Sequence, residues 1–167
     1  MLFLGQRSKE YRESHGFRIR RELLLEGHGK LKGSSQMSAE GQNILVVDDN
    51  QDIRELVVHI LSADGFNVYS AQDGANALAI LNSNSINLVL LDVMMPGKSG
   101  LEVLSEIRSG SNKKLRDIPV MMITAKSGTE DIDKALALGA TSYIIKPFRG
   151  TTIREKVRGV FELPFNG

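Results

Sequence analysis

The sequence predicts an α/β fold, a doubly wound five-stranded parallel sheet with flanking helices. Three observations carry that expectation. Between Asn43 and Phe161, short apolar runs alternate five times with stretches of helical apolar spacing. The runs are apolar on consecutive residues, as strands buried on both faces are. Strands separated by single helices call for crossover connections, which a parallel sheet accommodates with right-handed βαβ units.

The elements follow in order. Residues 44–47 (ILVV) form a buried strand that ends at Asp48-Asp49. Ile53, Leu56, Val57, Ile60 and Leu61 then fall at i, i+3, i+4, i+7 and i+8, one inward face of a helix, and Gly65 stops it. Asn67–Ala71 is a weaker second strand, and residues 73–81 a second helix with Ala77, Leu78 and Leu81 inward. Leu88–Asp92 (LVLLD) is the third strand. Leu101, Leu104 and Ile107 mark the third helix, and the polar loop SGSNKKLRDIP follows it. Val120–Thr124 (VMMIT) is the fourth strand. Ile132, Ala135 and Leu136 line a fourth helix closed by Gly139, residues 143–145 form the fifth strand, and Ile153, Val157, Val160 and Phe161 stripe the fifth helix.

Composition narrows the function classes. With no Cys, neither disulfides nor thiolate metal sites are available, and a reducing cytoplasm is the default setting. No apolar run approaches the ~18 residues a membrane helix needs. The opening MLFLGQRSK is not a signal peptide, because its apolar patch is short and precedes the basic residues. The net charge of +1 hides an asymmetry: residues 1–36 carry +4 and residues 37–167 carry −3. The boundary falls in GKLKGSSQ, a Gly- and Ser-rich linker. Three parts result: a basic extension and linker (1–42), a globular domain (43–163) and a short tail (164–167).

The polar residues at the strand ends are the informative ones. Asp48 and Asp49 end the first strand, Asp92 the third, Thr124 the fourth and Lys146 the fifth. Taken singly, a strand-end Asp is usually a helix cap or a turn residue. In an open parallel sheet, however, ligands bind beyond the carboxyl ends of the strands, so all five converge on one pocket. Three carboxylates in one pocket repel one another, and a hard divalent ion such as Mg²⁺ relieves that repulsion. Lys146 supplies a point charge for a phosphoryl oxygen and Thr124 a hydroxyl donor. Phosphoryl transfer asks mainly for alignment and charge neutralisation, and a carboxylate can itself be the nucleophile.

At these residues the chain resembles the receiver domain of two-component response regulators, in its stand-alone, chemotaxis-regulator-like form. VVDDN carries the acidic pair, LLDVMMPGKSG the phosphoacceptor segment, MMITA the switch threonine and GATSYIIKPF the aromatic–lysine–proline end. The resemblance implies a (βα)5 flavodoxin-like fold with strand order 2-1-3-4-5. It implies that Asp92 is phosphorylated by a histidine kinase or a histidine phosphotransfer protein. Asp49 would be a direct Mg²⁺ ligand, with Asp48 helping directly or through water, and Asp92 and the Met94 carbonyl completing the set. Lys146 would pair with Asp92 at rest and with the phosphoryl group afterwards. Thr124 would swing in to hydrogen-bond that group, and Tyr143 would follow by changing rotamer. Lys146-Pro147 resembles the family's cis peptide. Met94 and Lys126 flank the site at positions that in the family tune the lifetime of the phosphoaspartate, which hydrolyses slowly in the domain itself.

Other readings are weaker. A haloacid-dehalogenase-type phosphohydrolase also uses an Asp nucleophile, but it wants a second Asp two residues on, where this chain has Met94. No G-x-x-x-x-G-K-[ST] run supports a P-loop enzyme. An interaction module that keeps only the fold would be expected to have lost one of Asp48, Asp49, Asp92, Thr124 and Lys146. The methionines at 94, 95, 121 and 122 read mostly as core filler and not as a cofactor box, and His59 as a surface residue. His15 and His28 have no spaced second ligand. The expected output is contact with a downstream protein target; direct DNA binding is not expected, since the domain is not basic and no DNA-binding unit follows it. The leader reads as disordered or as a mis-assigned start before MSAEGQNILVVDDN, in preference to a basic amphipathic helix, because Phe17, Ile19, Leu23 and Leu24 do not repeat cleanly.

Overall fold

The computed structural model describes residues 41–125 and 129–162. Most of the basic leader, Lys126 and the 164–167 tail lie outside the described residues.

Five strands and five helices alternate: β1 (Asn43–Val47), α1 (Gln51–Ala63), β2 (Asn67–Ala71), α2 (Gly74–Ser83), β3 (Leu88–Asp92), α3 (Gly100–Ser109), β4 (Val120–Thr124), α4 (Thr129–Ala137), β5 (Ser142–Ile145) and α5 (Gly150–Glu162). A single extra helical turn, Lys113–Arg116, interrupts the loop expected to be irregular. Asn112 caps it by accepting the Lys114 N–H at 3.1 Å. The strand order is β2-β1-β3-β4-β5. Every pairing is parallel, with Leu45 beside Val89, Leu91 beside Met122, and Met122 beside Tyr143.

The period-two alternation of a strand sorts the sheet residues onto two faces. Leu45, Val47, Val89, Leu91, Val120 and Met122 pack with Ala77, Leu81, Val103, Leu104, Ile107 and Ala135 of α2, α3 and α4. Ile44, Val46, Leu88, Leu90, Met121, Ile123 and Ile144 pack with Val57, Ile60 and Leu61 of α1 and Ile153, Val157 and Val160 of α5. The sheet is therefore covered on both sides, which is why β3 and β4 are apolar on successive residues.

Helix ends follow local chemistry. Asn50 accepts the Ile53 N–H at 3.1 Å and Asp73 the Asn76 N–H at 2.8 Å, opening α1 and α2. Ser99 and Glu102 form a reciprocal capping box at the start of α3. Gly65 and Gly139, the expected stops, take φ of 90° and 91°, a region other residues avoid.

Two expected core residues are misplaced: Leu56 is 51% exposed, and Met94, in the turn after β3, is 54% exposed. At 100° per residue, Ile53, Val57, Ile60 and Leu61 cluster on one side of α1, and Leu56 lies about 80° from the centre of that stripe. Apolar spacing alone turns Leu56 inward, but its angle carries it past the edge of the sheet-facing side.

Candidate functional site

The carboxyl ends of β1 and β3 lie side by side, and the chain leaves them towards opposite faces of the sheet, into α1 and α3. The divergence opens a crevice between the two strand ends, where an open α/β sheet offers its ligand site.

Asp48 follows β1 directly, tied to β2 by its N–H, which donates to the Ala71 carbonyl at 3.2 Å. It is fully buried. Its Oδ1 accepts the Asn50 N–H at 2.9 Å, and its Oδ2 accepts from Lys146 Nζ at 2.7 Å. Asp49, one residue on, is exposed. Asp92 is the last residue of β3 and is 3% exposed. The turn beyond it is fixed by the Val93 N–H to the Ile123 carbonyl at 2.9 Å and the Gly100 N–H to the Val93 carbonyl at 3.0 Å. That turn is tight: a Cβ on Gly100 would stand 2.0 Å from the Asp92 carbonyl oxygen. Thr124 ends β4 and is buried, and its carbonyl accepts the Lys146 N–H at 2.7 Å. The Lys146-Pro147 peptide is cis.

Side-chain oxygens of Asp48, Asp49 and Asp92 all lie within 4.8 Å of one another. Lys146 Nζ faces two of these carboxylates, at 2.7 Å from Asp48 and 3.4 Å from Asp92. The resting partner expected from sequence was Asp92; the nearer partner is Asp48. One ammonium against three carboxylates leaves the cluster strongly negative. Burial, and after it the Asp48 charge, pushes the Asp92 carboxyl above its ordinary range, against the pull of Lys146 and the Met94 N–H. The Met94 N–H reaches Asp92 Oδ1 only at 3.4 Å. A compact set of hard oxygen donors with excess negative charge fits a divalent cation.

Tyr143 stands apart from this cluster. It pairs in register with Met122, two residues before Thr124, and its ring packs partly buried on the α2–α3–α4 face. Met94 projects outward, 54% exposed. His59 is exposed on α1, away from the acidic cluster. Two contributors were not anticipated. Asn50 clamps Asp48 through its backbone N–H, and Arg54 Nη1 donates to the Asp48 carbonyl at 2.7 Å. Their signal was present in DDNQDIR, where Asn50 precedes a helix as its cap and Arg54 sits one turn further along the same side.

A family model described as the response regulator receiver domain matches residues 44–158. Chemotaxis protein CheY-3 of Vibrio cholerae is 38% identical over 124 residues, which span 74% of this chain and 94% of that protein. Chemotaxis protein CheY of Pseudomonas aeruginosa is 34% identical over 120 residues, 71% of this chain and 95% of that protein. Transcriptional regulatory protein CpxR of Klebsiella pneumoniae is 40% identical over 117 residues, 70% of this chain but 48% of that longer protein. The solved structure of chemotaxis response regulator CheY4 of Vibrio cholerae superposes with a TM-score of 0.68 at 31% identity, covering 72% of this chain and 98% of that one.

Proposed function

The chain belongs to the response regulator receiver family of two-component signalling, and from that premise we propose that Asp92 is its phosphoacceptor. The donor is a phosphohistidine on a partner histidine kinase or histidine phosphotransfer protein. The observation that carries this reading is the Asp92 carboxylate itself, buried at a strand end with an ammonium 3.4 Å away and two further carboxylates beside it.

An Asp92 carboxylate oxygen attacks phosphorus as the P–N bond to the donor imidazole breaks. The bonding pair leaves on the imidazole nitrogen, and Asp92 becomes a mixed phosphoric–carboxylic anhydride. Lys146 meets the incoming negative charge from its place between Asp48 and Asp92, and its short bond to Asp48 keeps the ammonium aligned. Mg²⁺, held by Asp48, Asp49 and Asp92 with the Met94 carbonyl, would neutralise phosphoryl oxygens. Asn50 and Arg54 hold the Asp48 backbone and carboxylate still.

Phosphorylation then shifts a two-state equilibrium. The Thr124 hydroxyl donates to the phosphoryl group, Tyr143 changes rotamer, and the surface of α4, β5 and α5 alters its affinity for a downstream protein. DNA is not the target of this domain, whose residues 37–167 carry −3. The protein is a signalling acceptor working in the cytoplasm, and it loses its phosphoryl group slowly by its own hydrolysis.

The test is labelling from a small-molecule phosphodonor with Mg²⁺ present. Wild type should acquire hydroxylamine-sensitive label, Asp92→Asn should acquire none, and Asp49→Asn should lose both Mg²⁺ dependence and most label. Strong label on Asp92→Asn would place the acceptor elsewhere.

A further inference from the structure

Helix α5 carries three basic residues at alternate positions, and they do different things. Arg154 and Arg158 are four apart, so they share a side of the helix. Both reach Asp64, the C-cap of α1, with Arg154 Nε at 3.2 Å from Oδ1 and Arg158 Nη2 at 3.5 Å from Oδ2. Lys156 lies between them, turned about 200° from Arg154 at 100° per residue. Its ammonium sits over the Tyr143 ring, 5.5 Å from the centroid. Among the described residues Lys156 pairs with no carboxylate, so the ring is its partner.

The placement is unusual for its reach across layers. α5 packs on the α1 side of the sheet, whereas Tyr143 belongs to the α2–α3–α4 side. β5 is the edge strand, and Lys156 reaches past that edge to the ring. The inner side of the ring meets the core. With α5 stapled to α1 through Asp64, the position of the ammonium is set by the helix rather than by a loose side chain alone.

We infer that Lys156 is a positioning residue for Tyr143, holding the ring in the rotamer of this structure and opposing its movement when Asp92 is phosphorylated. The inference rests on the proposed coupling of Asp92 to Tyr143, and goes beyond it by naming the group that sets how readily the ring moves.

The test measures the χ1 rotamer of Tyr143 by three-bond NMR couplings in the full chain, with and without Mg²⁺ and beryllofluoride. Lys156→Met keeps the apolar stem and removes the charge at an exposed position, and thermal melts report that the fold is retained. Without the analogue, Lys156→Met should average the Tyr143 rotamer, while Lys156→Arg should restore the wild-type couplings. The beryllofluoride concentration at half response should fall about 2- to 5-fold in Lys156→Met, the range of an exposed cation–π contact. Unchanged couplings and an unchanged midpoint in Lys156→Met overturn the inference. A wild-type Tyr143 that keeps its rotamer with beryllofluoride bound overturns the proposed coupling instead, and the analogue-free comparison of the two variants still decides whether Lys156 restrains the ring.

Discussion

Lys146 Nζ lies 2.7 Å from Asp48 Oδ2, and the Asp48 side chain is wholly shielded from solvent. The ammonium is thus as much a structural partner of the acidic cluster as a chemical one. Lys146→Met would leave a buried carboxylate without its counter-charge, which costs about 3 kcal/mol in comparable buried pairs. Urea unfolding in EDTA should show that loss. Added Mg²⁺ should recover more stability in the variant than in wild type, because binding to the folded state alone stabilises it by mass action.

Gly100 is held to its identity by sterics. An added Cβ would meet backbone atoms of Asp92 and Val93 at 2.0 to 3.0 Å, and backbone cannot step aside as a side-chain tip can. Gly100→Ala should therefore destabilise by about 3 kcal/mol or more and weaken Mg²⁺ binding, since the displaced atoms carry the Asp92 side chain. Gly74→Ala is the contrast. Its Cβ would meet the side chains of Val103 at 2.5 Å and Lys98 at 3.3 Å and not the backbone that carries Asp92, so stability should fall while Mg²⁺ affinity per folded molecule holds.

The capping box gives a pH signature. The Ser99 N–H and hydroxyl both donate to Glu102 Oε2 at 2.8 Å, and these bonds hold its carboxyl below the ordinary glutamate range. A carboxyl depressed on folding binds fewer protons folded than unfolded. Its contribution is therefore full above the unfolded pKa and lost as pH falls through the folded value. The melting temperatures of wild type and Glu102→Gln should differ at neutral pH and converge in acid.

Arg108 fastens three segments together. Its Nε and Nη2 donate to the Gly139 carbonyl at 3.1 and 2.9 Å, and Nη1 donates to the Arg116 carbonyl at 2.9 Å. Arg108→Met should cost about 1–3 kcal/mol by stranding these acceptors. Arg108→Lys should recover only part, because a point ammonium cannot fork between two carbonyls. Denaturant unfolding of the three proteins measures the order.

The strand ends were legible because each of Asp48, Asp92, Thr124 and Lys146 closes an apolar run, and parallel pairing leaves those ends on one edge. What the letters could not convey was distance. That Lys146 sits nearer Asp48 than Asp92 depends on side-chain geometry across β1, β3 and β5, which no spacing encodes. Leu56 was misread because apolar periodicity does not say how wide a stripe the sheet will cover. The turn Lys113–Arg116 was hidden in a polar loop, since a single helical turn has no apolar face to announce it. Nothing in the sequence pattern singles out Arg108 or Lys156, and only tertiary packing brings a carbonyl or a ring within their reach.

The partners Lys146 and Asp48 are 98 residues apart, and β5, which delivers the lysine, is the last of the five described strands to be synthesised. A copy still emerging from the ribosome, or one whose edge strand has not docked, holds all its aspartates yet lacks the ammonium that faces Asp48 and Asp92. On the proposed mechanism, incomplete molecules would thus be poor acceptors of the phosphoryl group. Only finished copies would count in the cell's tally of the signal.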